Sequence, residues 1–352
     1  MKNISNKYQH VKLNFVRILF SHIFPNEVTH LFNCFLFIIT CILWGATWLA
    51  IHYQVSSVPK LWSITYRFAV AGLLLWVFCL ISKRWVSFTS RQHFLIALQG
   101  ILLFALNFMF VYNSTQYLIS GLVAVIFSSI LILNMINAHL FFKTPVSLQF
   151  VIGALMGICG LALVFSADIY NSIQHHLNIK EQFLGLFLCL AGTLCASLGN
   201  MVVSQIKDQV PLLPSTALSM LYGALFTAVA ALCTQTPLSF DWRPAYLISL
   251  AYLIFGGSII GFVSYMTLIR KQGPARAAYV FVFTPIVAML LSAWVEHFTW
   301  TVNVYLGLLM IVISQCLVLG KNYRNLWQQV KSFALDRMKT QKMKQASNVT
   351  LP

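Results

Sequence analysis

Two long apolar runs, Ala245–Ile269 and Ala275–Val295, are joined by five residues, Arg270-Lys271-Gln272-Gly273-Pro274. As helices of about 20–25 residues, roughly 30–37 Å, each is long enough to cross a ~30 Å hydrocarbon layer. So short a link leaves one arrangement, a membrane hairpin. Its cations belong on the cytoplasmic side, where short loops carry the Lys and Arg excess. A soluble domain of 352 residues is not 59% hydrophobic and 9% charged. The class is therefore an all-α polytopic membrane protein; a β-barrel would alternate in segments of about ten residues.

The same pattern continues along the chain. Ten spans are expected, at roughly 31–52, 61–82, 94–113, 118–141, 147–167, 183–206, 214–234, 245–269, 275–296 and 302–320. The longest link, 168–182, divides them into five-helix repeats at 31–167 and 183–320. Basic tails, 1–30 and 321–352, lie outside both. With the N-terminus placed inside, the inner segments collect Lys2, Lys7, Lys12, Arg17, Lys83, Arg84, Arg91, Lys143, Lys207, Arg270, Lys271 and Arg276, plus seven cations from Lys321 onward. The outer loops carry Lys60, Lys180 and Arg243. This asymmetry predicts both termini in the cytoplasm of a cell whose inner (plasma) membrane holds the protein.

The net charge of +16 follows from these span edges and tails, not from a soluble basic face, so nucleic acid is not expected as a partner. The partners implied are a small-molecule substrate and the anionic inner leaflet, against which both tails are expected to lie. In the N-terminal tail Val11, Phe15, Ile18 and Leu19 could share a helical face, and the alternatives are an interfacial helix and a disordered basic tail. The interspersed cations and the missing small-residue cleavage site argue against a signal peptide. Oligomeric state is not legible. All eight cysteines fall in or beside apolar runs without a CxxC. They read as small hydrophobes, and neither metal nor cofactor is expected.

A shift of about 151–154 residues lays the first half on the second: Ala124 meets Ala278, Phe127 meets Phe281, Gly153 meets Gly307, and Tyr112 meets Tyr265. Five is odd, so the second copy enters the membrane from the opposite side. The halves are then inverted repeats about an axis in the membrane plane, the architecture of carriers with a site between the repeats near the midplane.

Trp44-Gly45-Ala46-Thr47, Tyr66-Arg67-Phe68 with Ala71, Gly273-Pro274-Ala275-Arg276-Ala277-Ala278, and Pro285 followed by Glu296 together resemble the drug/metabolite transporter superfamily, in its ten-span EamA-type branch. The resemblance covers about residues 31–320. It implies a secondary carrier, usually an exporter of amino acids or other small metabolites, with a central cavity lined by both halves. One departure stands out: Leu131 and Phe142 occupy the first-half places of Pro285 and Glu296.

Polar groups within the spans nominate a site, because charge in hydrocarbon is costly. Arg67 either faces a cavity and binds a substrate carboxylate or phosphate, or serves structure. Glu296, at similar depth, is its candidate partner in a gate or ion pair. Asn107, Asn134 and Asn200 need partners when buried, and a substrate is one source. Thr193, Ser197, Asn200 and Ser204 form one helical face. Trp44 and Thr47 share another. Tyr222, Tyr265 and Tyr279 complete the substrate-binding candidates, and aromatic walls suit amphipathic solutes. The spacings of Gly153, Gly157, Gly160, Gly257 and Gly261 suit close helix contact. His139 reads as a packing residue.

No clustered His, Asp or Glu lies within the spans, and no nucleotide-binding loop is present. An enzyme is not expected. The function expected is secondary transport, with export of small metabolites by alternating access; the alternative is a non-carrier membrane protein such as a lipid scramblase or scaffold.

Overall fold

The computed structural model describes residues 27–319, apart from 56–57, 144, 146, 175–178, 273–276, 278 and 297–299. Residues 1–26 and 320–352, which hold all the cations of the two tails, and all of the Gly273–Ala278 motif except Ala277, lie outside the described residues; residues 27–30, expected in the N-terminal tail, belong to the first helix. Within them the chain forms ten apolar helices and no strand. They are α1 (Glu27–Val55), α2 (Lys60–Ile81), α3 (Ser90–Ser114), α4 (Ser120–Phe142), α5 (Leu148–Gln174), α6 (Ile179–Ile206), α7 (Leu212–Cys233), α8 (Pro244–Lys271), α9 (Val280–Val295) and α10 (Val302–Leu319). Eight are at least 18 residues long and apolar enough to span a bilayer; α9 and α10 contribute shorter apolar stretches.

The largest boundary difference from the sequence expectation is in α5. Helix α5 runs on to Gln174, so the link between the halves is 175–178 rather than 168–182. Ser166-Ala167-Asp168 contains no Gly or Pro to stop the helix, and a polar stretch outside the hydrocarbon can stay helical. The longest link between described helices runs from Thr234 to Arg243.

The polarity is that of a membrane protein. Phe35, Ile38, Ile42, Leu155, Ile158 and Phe187 are exposed, while Thr40, Arg67, Asn107, Thr193, Asn200 and Ser258 are buried. Buried hydroxyls return hydrogen bonds to carbonyls one turn back, as Thr40 does to Leu36 (2.5 Å) and Thr193 to Cys189 (2.7 Å). That satisfies a polar group with no outside partner.

Packing runs chiefly between the halves. The most extensive pairs are α5 with α10 and α2 with α7. Helix α1 packs on α8 and α9, and α6 packs on α3 and α4. Exchanging α1–α5 for α6–α10 maps each of these pairings onto another or onto itself. Local detail repeats as well. Pro59 and Pro211, 152 residues apart, precede α2 and α7 in extended backbone. Lys83 (φ 53°) and Gln235 (φ 52°), again 152 apart, leave the same two helices in the left-handed region. Behind them Arg84 N–H donates to Cys79 O and Thr236 N–H to Ala231 O, both at 2.8 Å. A π-helical stretch interrupts α3 at Ile101–Leu106 and α8 at Leu253–Ile260, the corresponding helix of each half.

Helices α5 and α10 cross where Gly160 meets Gly307. A Cβ on Gly307 would stand 2.6 Å from Gly160 O, and one on Gly160 would stand 2.7 Å from Gly307 O. Backbone cannot move aside as a side chain can, so both positions require glycine for this close approach. Gly307→Val is expected to lower stability by about 1–3 kcal/mol, the usual cost of overpacking, read as a lower melting temperature in detergent. An unchanged melting temperature would show that the helices separate freely there.

Candidate functional site

The face of α1 that carries Trp44, Thr47 and Trp48 turns inward, three and four residues apart as helical geometry requires. Opposite it stand Leu103, Asn107, Phe108 and Val111 of α3, Ala196 and Asn200 of α6, and Phe262 and Tyr265 of α8. Arg67 of α2, Phe127 and Ile130 of α4, and Phe281 and Thr284 of α9 close the ring. The enclosed cavity measures about 50 Å³. At ~10–15 Å³ per water that is room for about four waters, well below the ~300 Å³ at which small-molecule sites begin. As it stands the cavity has no room for a drug-sized molecule.

Arg67 is completely buried. Its Nε donates to Ser258 Oγ (2.9 Å), inside the π stretch of α8. Its guanidinium carbon lies 4.8 Å and 4.4 Å from the ring centres of Phe68 and Phe108, cation–π distances that matter where water is absent. The nearby Tyr112 hydroxyl donates its hydrogen to Gln54 Oε1 (2.9 Å). Neither Nη1 nor Nη2 reaches hydrogen-bond geometry with any described residue. Gly257 makes the space: a Cβ there would lie 3.1 Å from Arg67 Nη2 and 3.0 Å from Thr47 Oγ1.

The wall around the guanidinium is aromatic. Trp44 contacts Phe262, Tyr265 and Phe281 at ring-centre distances of 5.0, 4.8 and 5.5 Å, and Trp48 contacts Phe127 at 4.9 Å. Trp44 Nε1 is held by Gly257 O (3.1 Å). Trp48 Nε1, Asn107 Oδ1 and the Tyr265 hydroxyl are buried without a partner among the described residues.

Of the residues nominated from sequence, Trp44, Thr47, Arg67, Asn107, Asn200 and Tyr265 converge on this cavity. Asn134 sits one layer behind it and accepts from Asn200 Nδ2 (3.3 Å). Tyr222 lies elsewhere, with its hydroxyl 2.8 Å from His93 Nδ1, and Tyr279 packs at the edge of the core. The polar face of α6 divides. Asn200 reaches the cavity, whereas Ser197 accepts from Asn137 Nδ2 (2.8 Å) and Thr193 bonds within its own helix. His139 is exposed on α4, away from the cavity. Gly157 faces the Ser314 hydroxyl on α10, and Gly257 and Gly261 face Trp44 and Thr47.

The Arg67–Glu296 pair is not formed. Glu296 is engaged at the α9 terminus: its Oε1 accepts from Ser120 N–H (3.2 Å), and its Oε2 accepts from the hydroxyls of Ser120 and Ser292, both at 2.5 Å. His52 Nδ1 is 3.6 Å away. The carboxylate thus caps the start of α4, where exposed N–H groups favour an anion, and ties it to α9. The sequence motif gave no sign of Ser258, Phe262 or Phe281 as neighbours of Arg67 and Trp44. The i, i+3 spacing of Phe262 and Tyr265 was the available signal.

What this fold and cavity define is a multi-pass membrane protein whose two halves enclose a small aromatic chamber. The EamA-like transporter family model matches residues 31–166 and 183–320, and the chain belongs to that family. It is similar to the "Uncharacterized inner membrane transporter YedA" of Escherichia coli K12, 29% identical over 80% of this chain and 88% of that one. It is also similar to "Protein PagO" of Salmonella typhimurium (22% identity; 81% and 91% coverage) and to the "Uncharacterized transporter YvbV" of Bacillus subtilis (24%; 80% and 89%). One crystal structure, 14% identical, shares the fold with a TM-score of 0.62 over 81% of this chain and 96% of that one.

Glu296→Ala removes hydrogen bonds to a largely buried charge. It is expected to destabilise the protein by on the order of 3 kcal/mol, with Ser120→Ala costing about half as much, measured by thermal unfolding in detergent. Equal melting temperatures for Glu296→Ala and the wild type would remove the carboxylate's role in joining α9 to α4.

Proposed function

We propose that the chain is a secondary active transporter that exports small metabolites, amino acids or related amphipathic solutes, by alternating access across the inner membrane. One observation carries the reading: the central cavity is lined by helices of both halves, and the halves pack through equivalent pairs. Two such halves have two near-equal arrangements, each opening the chamber to one side. The apolar, aromatic wall with a few polar groups fits a small amphipathic cargo. The outward direction rests on the family resemblance. In the proposed orientation both termini are cytoplasmic, and the basic tails lie against the anionic leaflet.

Purified protein in proteoliposomes is expected to give saturable flux of a defined solute, competed by unlabelled solute. Movement of fluorescent lipid between leaflets without solute flux would replace the carrier with a scramblase. For orientation, a single cysteine at Ser239 in a cysteine-free background is expected to react with an impermeant maleimide added outside intact cells. One at Ser87 is expected to react only after lysis, and the opposite pattern would invert the topology.

A further inference from the structure

Within the transporter reading just given, the buried polar atoms around the cavity that lack a partner among the described residues narrow its cargo. Arg67 is the one charged side chain on the wall among the described residues. It is fully buried, and no described carboxylate forms an ion pair with it. A charge at such depth calls for a counter-charge. With Nε tied to Ser258 and the guanidinium plane packed on Phe68 and Phe108, the remaining donors are those of Nη1 and Nη2. Neither is in full hydrogen-bond geometry with a described residue, although the Tyr112 hydroxyl stands beside the guanidinium as a weak acceptor, and Nη2 is adjacent to Gly257. Two neighbouring N–H-bearing nitrogens of a planar guanidinium match the two oxygens of a carboxylate.

The other buried atoms without a partner set the rest of the ligand. Asn107 Oδ1 is an unpaired acceptor, so the cargo brings a donor. The Tyr265 hydroxyl and Trp48 Nε1 offer further donors to its oxygens. The remaining wall is aromatic and aliphatic, which suits an apolar body. Charge separates the candidates. A net anion of one unit neutralises Arg67. A zwitterion leaves the site at +1, and a phosphate dianion exceeds the single cation available. An organic cation would meet like charge with no acidic side chain lining the cavity among the described residues.

We propose that the cavity, once widened by movement of its helices, takes a small monocarboxylate with a hydrogen-bond donor near its carboxyl group and an apolar body. The carboxylate is seated on the Nη1 and Nη2 edge of Arg67, and the donor on Asn107 Oδ1.

A charge ladder on one body tests this: 3-phenyllactate (anion), its amide (neutral), phenylalanine (zwitterion) and phenethylamine (cation), with 2-hydroxyisocaproate as a smaller anion. Binding is read as a rise in the melting temperature of purified full-length protein. The two hydroxy acids are expected to raise it most, phenylalanine less, and the amide and amine not at all; a larger rise with phenylalanine than with 3-phenyllactate overturns the preference for a net anion. Arg67→Gln is expected to weaken the anions at least about tenfold, as loss of charged hydrogen bonds does, with Arg67→Lys restoring part of the affinity. Should Arg67→Gln fail to fold, Asn107→Leu provides the second reading. Wild type is expected to favour 3-phenyllactate over 3-phenylpropionate by about fivefold or more, and Asn107→Leu to bring the two within about twofold.

A shift by the amide or amine equal to that of the acids, no shift by either acid, or undiminished anion binding in folded Arg67→Gln overturns the proposal. Saturable flux of another solute alongside any of those results leaves the carrier intact and removes only its anion class. Lipid movement without solute flux removes both.

Discussion

Hydrocarbon offers a peptide group nothing to bond with, and a charged side chain still less. Each stretch of backbone that crosses it must close its own hydrogen bonds, and each polar side chain must turn toward the bundle. Apolar side chains cover the outside of these helices, and the hydroxyls of Thr40 and Thr193 fold back on their own turns. Asn137 finds Ser197, and Asn200 finds Asn134. Arg67 cannot be satisfied that way. It sits where α2 meets α8 beside the central chamber, held by one hydroxyl and two aromatic faces.

The scaffold is close to two-fold, but its chemistry is not. Arg67 has Ser219 as its counterpart 152 residues on, and Ser219 accepts a hydrogen bond from Gln99 instead of facing a cavity. Glu296 has Phe142 in the first half, so only one of the two equivalent helix junctions carries a carboxylate. Repetition supplies matched helices and matched ends, such as the turns at Lys83 and Gln235. Divergence then places a single cation on one side of the axis. A chamber built this way is structurally even and electrically lopsided.

Much of this was readable in the residues. Apolar run lengths set the ten helices, since only long stretches without charge can cross, and the steady shift between halves announced the repeat. Arg67, Asn107 and Asn200 stood out because polar groups are rare in such runs. The extension of α5 to Gln174 did not stand out, because helix continuation beyond the hydrocarbon depends on propensity and carries no hydropathy signal. Nor did the π stretches: Gly256-Gly257 hints at one of them, while Ile101–Leu106 reads as an unbroken apolar helix. The partner of Glu296 was illegible for a different reason. Depth in the membrane suggested Arg67, yet rotation about each helix axis decides which groups meet, and that rotation is fixed by packing against the other half.

Gly257 has no functional group, yet it leaves the space against which the guanidinium rests. A methyl group there would press on Arg67 Nη2 and Thr47 Oγ1 at 3.1 and 3.0 Å, so both would shift by a few tenths of an ångström. The electrostatics of the chamber can therefore be edited from α8 without changing any ionisable residue. An alanine at this position would crowd the arginine and the threonine together while leaving every charge in place. A survey that scored only charged and aromatic positions would pass over it.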